Sequence, residues 1–410
     1  LPEPRDNGFL NRDFALICSS NFLAFFSIYL IIPVLPVFLE EEKGYSNFII
    51  GALMSMMVVA ALLRPFLGRV SDRKGRKSIL VIGTLVLALT NFLYASFTTA
   101  LPLFVVRFLN GFGLAAFHTA AYALVGDLAP PSRRLQGIAF FYMSVDVTIA
   151  TAPVAAEAIK NKWGYPPVYI AAGIIAALSF AASLGVRERW TRPEGTGSFR
   201  LWRARPDLMQ AAIFTATVGF TLTLGSLSTF VVLSAAEAGI SQGELFFTFF
   251  AAALILYRLA VGRRADRWSR RRLILASGII SLAGLATIAV SSSLALFLAG
   301  STVYGIGFAY IPTTLSALLL DGTRERNRGV MLGLFSAVFD VGMGLGGMAM
   351  GPVADLLGYR AMYLIGGGIA LLSLLFFAAG TMHRGKRLPS RRPGADTRAK
   401  GSRSRRGEPG

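Results

Sequence analysis

The chain has 410 residues, of which 54% are hydrophobic and 15% charged, with a mean hydropathy of +0.58. A soluble domain carries about 25% charged residues, so the composition excludes an ordinary soluble protein. The formal net charge of +19 lies in short loops and a tail rather than along one face, which argues against a nucleic-acid partner. A single cysteine, Cys18, excludes an intramolecular disulfide, and with only two histidines the chain offers no His/Cys metal set.

A membrane helix needs about 20 mostly apolar residues. Twelve segments meet that length: 14–39, 47–67, 78–97, 101–125, 137–158, 166–186, 208–233, 244–262, 273–291, 294–319, 330–354 and 361–382. The first is too long for a signal-peptide core and has no small-residue cleavage site. Orientation follows from the basic residues. With both termini cytoplasmic, 34 of the 41 Lys and Arg fall inside and four fall outside, namely Lys43, Lys160, Lys162 and Arg360. The other three, Arg64, Arg107 and Arg258, lie within helices or at their ends. The expected protein is an all-α, multi-pass membrane protein with cytoplasmic ends. Its parts are a head (1–13), a six-helix bundle (14–186), a polar cytoplasmic link (187–207), a second six-helix bundle (208–382) and a basic, disordered tail (383–410).

Between the second and third segments, residues 68–80 read GRVSDRKGRKSIL, and residues 262–274 read GRRADRWSRRRLI, 194 positions later. Gly68 matches Gly262, Asp72 matches Asp266, Arg73 matches Arg267 and Arg76 matches Arg270, while Ser269 stands where the first copy has Gly75. The same offset pairs Arg64 with Arg258, Gly111 with Gly305, Gly113 with Gly307, Asp127 with Asp321 and Asp146 with Asp340. It continues through Gly164 with Gly358 and Tyr169 with Tyr363. The chain is a duplicated six-helix unit, and an even helix number makes the two copies parallel about an axis along the membrane normal.

Charged groups deep in membrane helices are costly and mark function. Asp146 lies about ten residues into the fifth helix, roughly 15 Å deep, and Asp340 is its counterpart in the eleventh. Either they exchange protons during a cycle, or they accept hydrogen bonds and pair with an arginine. Arg107, in the fourth helix, either bonds backbone within its bundle or binds an anion or tunes a proton site. His118 either titrates or packs. A Walker sequence is absent, and neither histidine has a nucleophile-elbow partner. No enzyme activity and no cofactor are therefore expected.

Twelve helices, the 6+6 repeat and Gly68, Asp72, Arg73, Gly75, Arg76 and Lys77 in the loop between helices two and three resemble the major facilitator superfamily of secondary transporters. Arg107, Gly111 and Gly113 match that family's R-x-x-x-G-x-G pattern in helix four. The glycine-proline motif of helix five in antiporters is largely absent, since Ala152 precedes Pro153 and the glycines are missing. The resemblance implies two bundles that rock about a central site. It makes Gly68, Asp72, Arg73, Gly75 and Arg76, with Gly262, Asp266, Arg267 and Arg270, gating residues. Gly68 would let helix two approach the other half closely, and Asp72 would meet the start of helix eleven. Asp127 would pair with Arg73 or Arg76. The two latches are expected to be unequal because Ser269 replaces Gly75.

The family's cavity is lined by helices one, four, seven and ten. By position that implies Asn21, Phe25, Tyr29, Asn110, Phe117, Thr221, Thr223, Tyr304 and Tyr310, an aromatic and apolar set suited to a neutral or amphiphilic organic molecule. The expected function is proton-coupled export of small organic compounds by a monomer in the inner membrane, with lipid, substrate and H+ as partners. Uptake or facilitated diffusion of a metabolite is the alternative within transport. A non-transporting sensor is the alternative from another class.

Overall fold

The structure is a computed structural model. It describes residues 12–97, 99–128, 134–188, 207–265, 268–323 and 328–382, apart from the side chains of Asp72, Arg134, Leu135, Gln136, Ala139, 262–265, Gly329 and Val330. Asp266, Arg267 and most of the head, link and tail therefore lie outside the described residues, as does the Asp72 carboxylate.

Fourteen helices are described, with no strand among the described residues. The first half holds α1 (Arg12–Glu41), α2 (Asn47–Ala61), α3 (Arg64–Lys74), α4 (Arg76–Leu93), α5 (Ala100–Leu128), α6 (Arg134–Trp163) and α7 (Tyr165–Leu184). The second half holds α8 (Leu208–Glu237), α9 (Leu245–Ala265), α10 (Arg270–Ala289), α11 (Leu294–Phe308), α12 (Ile311–Asp321), α13 (Arg328–Met348) and α14 (Met350–Met382). Fourteen helices make twelve membrane crossings because two crossings are broken and one break is displaced. Pro65 and Pro312, which lack an N–H, start α3 and α12 in their first turns. The second crossing is therefore α2 with α3, and the tenth is α11 with α12. Gly358, at φ 79°, interrupts α14, so its first two turns continue α13. Gly164, its repeat partner, separates α6 from α7 at φ 83°, a conformation that favours glycine.

Ten of these crossings are long and apolar enough to span a bilayer by composition alone, and Leu245–Val261 is a shorter apolar helix. The remaining crossing, the fifth, is α6, which is 30 residues long and carries Asp146, Glu157, Lys160 and Lys162. Crossing eight begins one residue later than the sequence implies, leaving Glu244 in the turn before α9.

Alternation of crossings gives the bundle two faces. The basal face is where α1 begins and α14 ends; the distal face is opposite. Within each half, glycines let helices touch backbone to backbone. A Cβ on Gly111 would meet Met57 Cα at 2.6 Å, and one on its repeat partner Gly305 would meet the Phe250 carbonyl at 2.5 Å. One apolar core runs through both halves, from Leu30–Leu39 and Ile50–Met54 to Phe230, Tyr304 and Phe377. A second core stays within the first half, from Phe14 and Ile17 through Leu80 and Phe117 to Val186. The continuous core thus takes the distal part of α1 and the cloistered one its basal part, so the two halves are sealed together distally.

Candidate functional site

The polar contacts that cross between halves follow the same seam. At the distal face the Asn47 and Phe48 N–H groups, free because they begin α2, donate to the Asp355 carboxylate at 2.8 and 3.0 Å. The Tyr359 hydroxyl donates to Asn47 Oδ1 at 2.7 Å, with Glu40 Oε1 3.2 Å away. Deeper, Ser55 donates to the Gly344 carbonyl at 2.8 Å, and Thr248 to the Ala150 carbonyl at 2.6 Å. Gly51 lies directly against the Gly347 backbone, with the Gly347 carbonyl carbon 2.8 Å from where a Cβ would be.

At the foot of this seam stand two ion pairs. Arg64, at the start of α3, reaches Asp340 of α13 at 2.6 Å. Arg258, of α9, reaches Asp146 of α6 at 3.5 Å and also donates to the Ala309 carbonyl at 3.0 Å. Arg64 and Arg258 are repeat partners, and so are Asp146 and Asp340. Each half therefore lends an arginine and an aspartate to the other, and the two bridges are copies of one another about the pseudo-twofold axis. Twelve residues separate each aspartate from the basal start of its helix, about 18 Å along the axis. The side chains are 28% and 15% exposed in the first pair and 34% and 21% in the second.

Aromatic rings surround both pairs. In the first half His118 packs against Phe25, Phe141 and Tyr142 at centroid distances of 5.6, 5.8 and 6.1 Å, and Tyr122 packs on Tyr142 at 6.1 Å. In the second half Tyr257 packs edge-on to Tyr310 at 5.7 Å, and the Tyr310 hydroxyl donates to the Arg258 carbonyl at 3.4 Å. An open groove of about 450 Å³ runs along α1, lined by Cys18, Ser19, Phe22 and Leu23.

The loop signature forms a separate centre at the basal face. Arg76 pairs with Asp127 and donates to the Ala123 carbonyl at 2.9 Å. Its repeat partner Arg270 pairs with Asp321 in the same way. Gly75, at φ 96°, turns the chain between α3 and α4. The Glu188 carboxylate then accepts the Arg76 and Lys77 N–H groups at 2.5 and 3.1 Å, capping α4. The second copy caps itself: Ser269 takes ordinary backbone angles and its hydroxyl accepts the Arg272 N–H at 3.4 Å. The exchange of glycine for serine thus goes with a change of cap, from a carboxylate 113 residues away from Gly75 to the local side chain. Arg73 is exposed. Among the described residues the nearest atom to a Gly68 side chain would be Thr119 Cγ2 at 3.7 Å, in its own half. The close inter-half approach expected at Gly68 is found instead at Gly51, Gly347 and Gly351, because the halves meet distally in this conformation.

Several residues placed in the cavity by position are packing groups here. Asn21 donates to the Phe141 carbonyl at 3.0 Å and to Ser144 at 2.8 Å, joining α1 to α6. Asn110 donates to Thr90 and Asn91 of α4 at 3.0 and 2.7 Å. Phe117 lies against Gly83, fully buried in the first-half core. Thr221 bonds back to its own helix, and Thr223 bonds Tyr304 at 2.9 Å inside the common core. A polar or aromatic residue on a cavity helix can face either way, and only helix rotation decides. Phe25, Tyr29 and Tyr310 are half-buried. Arg64 and Arg258 are not among the site residues that the sequence implies. Four charges sharing one 194-residue register inside the membrane were the signal available for them.

Two pseudo-symmetric six-helix bundles joined by a seam that a few polar contacts hold define a transport fold. The sequence model of the Major Facilitator Superfamily matches residues 17–241 and again 211–407. The chain belongs to that family, whose members here are transporters rather than enzymes, and it is a multi-pass membrane transporter of small molecules. It is 24% identical over 375 residues to the staphylopine export protein of Staphylococcus aureus (strain Mu50 / ATCC 700699), covering 86% of this chain and 92% of that one. It is 25% identical over 388 residues to the uncharacterized MFS-type transporter YhhS of Escherichia coli (strain K12), covering 92% and 94%. Among solved structures it resembles a point mutant of the nucleoside transporter NupG, with a TM-score of 0.78 at 16% identity, covering 90% of this chain and 100% of that one. It also resembles a bacterial homolog of the human lysosomal transporter Spinster in an inward-facing and occupied conformation, with a TM-score of 0.74 at 14% identity, covering 90% and 96%.

Proposed function

We propose that this transporter exports small organic molecules in exchange for protons, and that Asp146 and Asp340 carry the protons. The supporting observation is the reciprocal placement of the two carboxylates: each sits mid-membrane, at the seam, paired with an arginine of the opposite half. An ionised aspartate holds its arginine and keeps the distal seam shut. A protonated one releases it, because a neutral carboxyl loses most of the attraction to a guanidinium. Proton binding from the distal side then belongs to the distally open state, and proton release on the basal side to the state described here. The basal face is the cytoplasmic one on this reading, in keeping with the 34 basic residues assigned there, and the membrane is the inner one. Substrate and proton would compete for the same pairs, and the aromatic surroundings favour a molecule with planar apolar parts.

Asp72 and Asp266 act as basal latches on this reading, with Arg76–Asp127 and Arg270–Asp321 bracing their loops. The export direction of the staphylopine relative and the loss of most of the helix-five antiporter motif around Pro153 pull in opposite directions, so direction is the part to test. Purified protein is screened by thermal shift against small organic compounds. The best ligand is then followed in proteoliposomes carrying an imposed pH gradient. Export coupled to protons predicts uphill substrate movement opposite in direction to the proton flow, abolished in Asp146→Asn with Asp340→Asn while downhill exchange survives. Uphill movement in the same direction as the protons would establish uptake instead.

A further inference from the structure

The first half contains a charge that neither the seam nor the loop uses. Arg107 lies seven residues into α5 from the distal face and is 1% exposed. Its Nη2 meets the sulfur of Met54 at 3.4 Å, while Nε and Nη1 have no hydrogen-bond partner. The hydroxyl hydrogens of Tyr94 and Tyr169, each 1% exposed, have no acceptor. These groups form one cluster. The two tyrosine rings are 5.8 Å apart, and both hydroxyls lie within electrostatic reach of the guanidinium. The Tyr94 oxygen lies close enough to the guanidinium to accept from it, which leaves the Tyr94 hydrogen undonated. The cluster is walled by α2 through Met54, by α4 through Tyr94 at its C-cap and by α7 through Tyr169.

A guanidinium has only donors and does not lose its charge in a protein. A buried cation without a counter-charge is among the costliest arrangements a membrane protein can hold. The neighbours do not supply one: Met54 sulfur is a weak acceptor, and a neutral phenol oxygen leaves the charge uncompensated. The two phenol hydrogens are still to be donated. Unspent donors on Arg107, Tyr94 and Tyr169 therefore converge around one positive charge. The repeat partners in the second half show a different arrangement. Ser301 stands for Arg107 and bonds its own helix at 2.8 Å, and Tyr363 stands for Tyr169 and bonds Ser234 at 3.1 Å. Where the charge is missing the polar groups are satisfied; where it is present they are not.

We propose that Arg107, Tyr94 and Tyr169 form a binding site for a small inorganic monovalent anion, chloride being the simplest, held as a counter-ion inside the first half. Complete enclosure excludes an organic carboxylate of substrate size. The site is independent of the proton-coupling reading, since it shares no residue with the Arg–Asp pairs.

The test uses the full-length protein in detergent at constant ionic strength, with gluconate replaced stepwise by chloride or bromide. The thermal midpoint is expected to rise and saturate with either halide. Tyr94→Phe, which keeps the ring and removes one donor, is expected to raise the half-saturating concentration about ten-fold or more. Tyr169→Phe should act in the same direction. Crystals grown in bromide should show an anomalous peak between the three side chains. A midpoint that ignores halide, or a halide effect unchanged in both phenylalanine variants, overturns the proposal, as does a bromide crystal without that peak.

Discussion

Replacing Asp340 by Asn removes one charge from the tighter of the two seam bridges and leaves the side-chain volume in place. Unit charges about 4 Å apart interact by about 4 kcal/mol at an effective dielectric of about 20. The pair is 28% and 15% exposed, between an exposed pair worth about 0–1 kcal/mol and a fully buried one whose breaking costs about 3–5 kcal/mol, so the net loss expected on breaking it is about 1–3 kcal/mol. In a two-state protein this shifts the ratio of distally closed to distally open molecules by about 5- to 150-fold. The readout is a distance distribution between spin labels at Glu42→Cys and Arg360→Cys in a Cys18→Ser background. Both positions are exposed and flank the distal seam, one in each half. A single short distance is expected for the parent and a second, longer population for Asp340→Asn. Asp146→Asn is expected to shift it less, because that pair is longer at 3.5 Å and Arg258 keeps a bond to the Ala309 carbonyl. An unchanged distribution in Asp340→Asn would refute the idea that the bridge holds the seam.

Gly51→Ala puts a methyl against the Gly347 backbone, whose carbonyl carbon is 2.8 Å from the new Cβ. Backbone cannot swing aside as a side chain can, so the variant should disfavour distal closure by about 1–3 kcal/mol, seen in the same label pair. Glu188→Gln weakens a charged cap on α4, and an N-cap loss of about 1 kcal/mol should appear as a lower thermal midpoint. A matched Ser269→Ala should lower it by a similar amount through the other copy. Glu244 sits in the turn before α9, 7% exposed. Burial raises its carboxyl above the usual range; a backbone hydrogen bond takes back part of that, Glu157 adds a little and Lys160 removes a little. The folded state then holds this proton to higher pH than the unfolded chain does. Its contribution to stability falls as pH rises from the ordinary glutamate range through the raised one. Glu244→Gln should flatten that slope in a series of thermal midpoints against pH.

Much of this architecture is legible in the sequence because a bilayer leaves few alternatives. Twelve apolar runs have to be helices, and the two prolines and the paired glycines at 164 and 358 mark where helices break. The family resemblance implies a partner for Asp127 in Arg73 or Arg76 without choosing between them; the structure has Arg76, and the equivalent residues Arg270 and Asp321 pair as well. The 194-residue register even contains Arg64, Arg258, Asp146 and Asp340, but a register states which residues are equivalent and not which ones meet. That these four pair crosswise depends on how the halves face each other. The cavity residues fail to emerge for a related reason. Depth along a helix follows from counting at 1.5 Å per residue, whereas direction depends on rotation about its axis. Asn21 and Asn110 look like ligand groups in the sequence, yet their donors are spent joining helices of one half. Arg107 reads as either a backbone donor or an anion binder, and its partners Tyr94 and Tyr169, 75 residues apart, give no local signal that they share its pocket.

On the proposed reading, protons act on the seam through Asp146 and Asp340. The most direct measurement is the Glu42→Cys/Arg360→Cys distance distribution in proteoliposomes over a range of pH, which needs no substrate. Acidification is expected to convert the short-distance population of the parent to the long one, and Asp146→Asn with Asp340→Asn to give a single pH-independent distribution, enriched in the long distance but retaining both populations. A pH response in the double variant equal to that of the parent would contradict that reading.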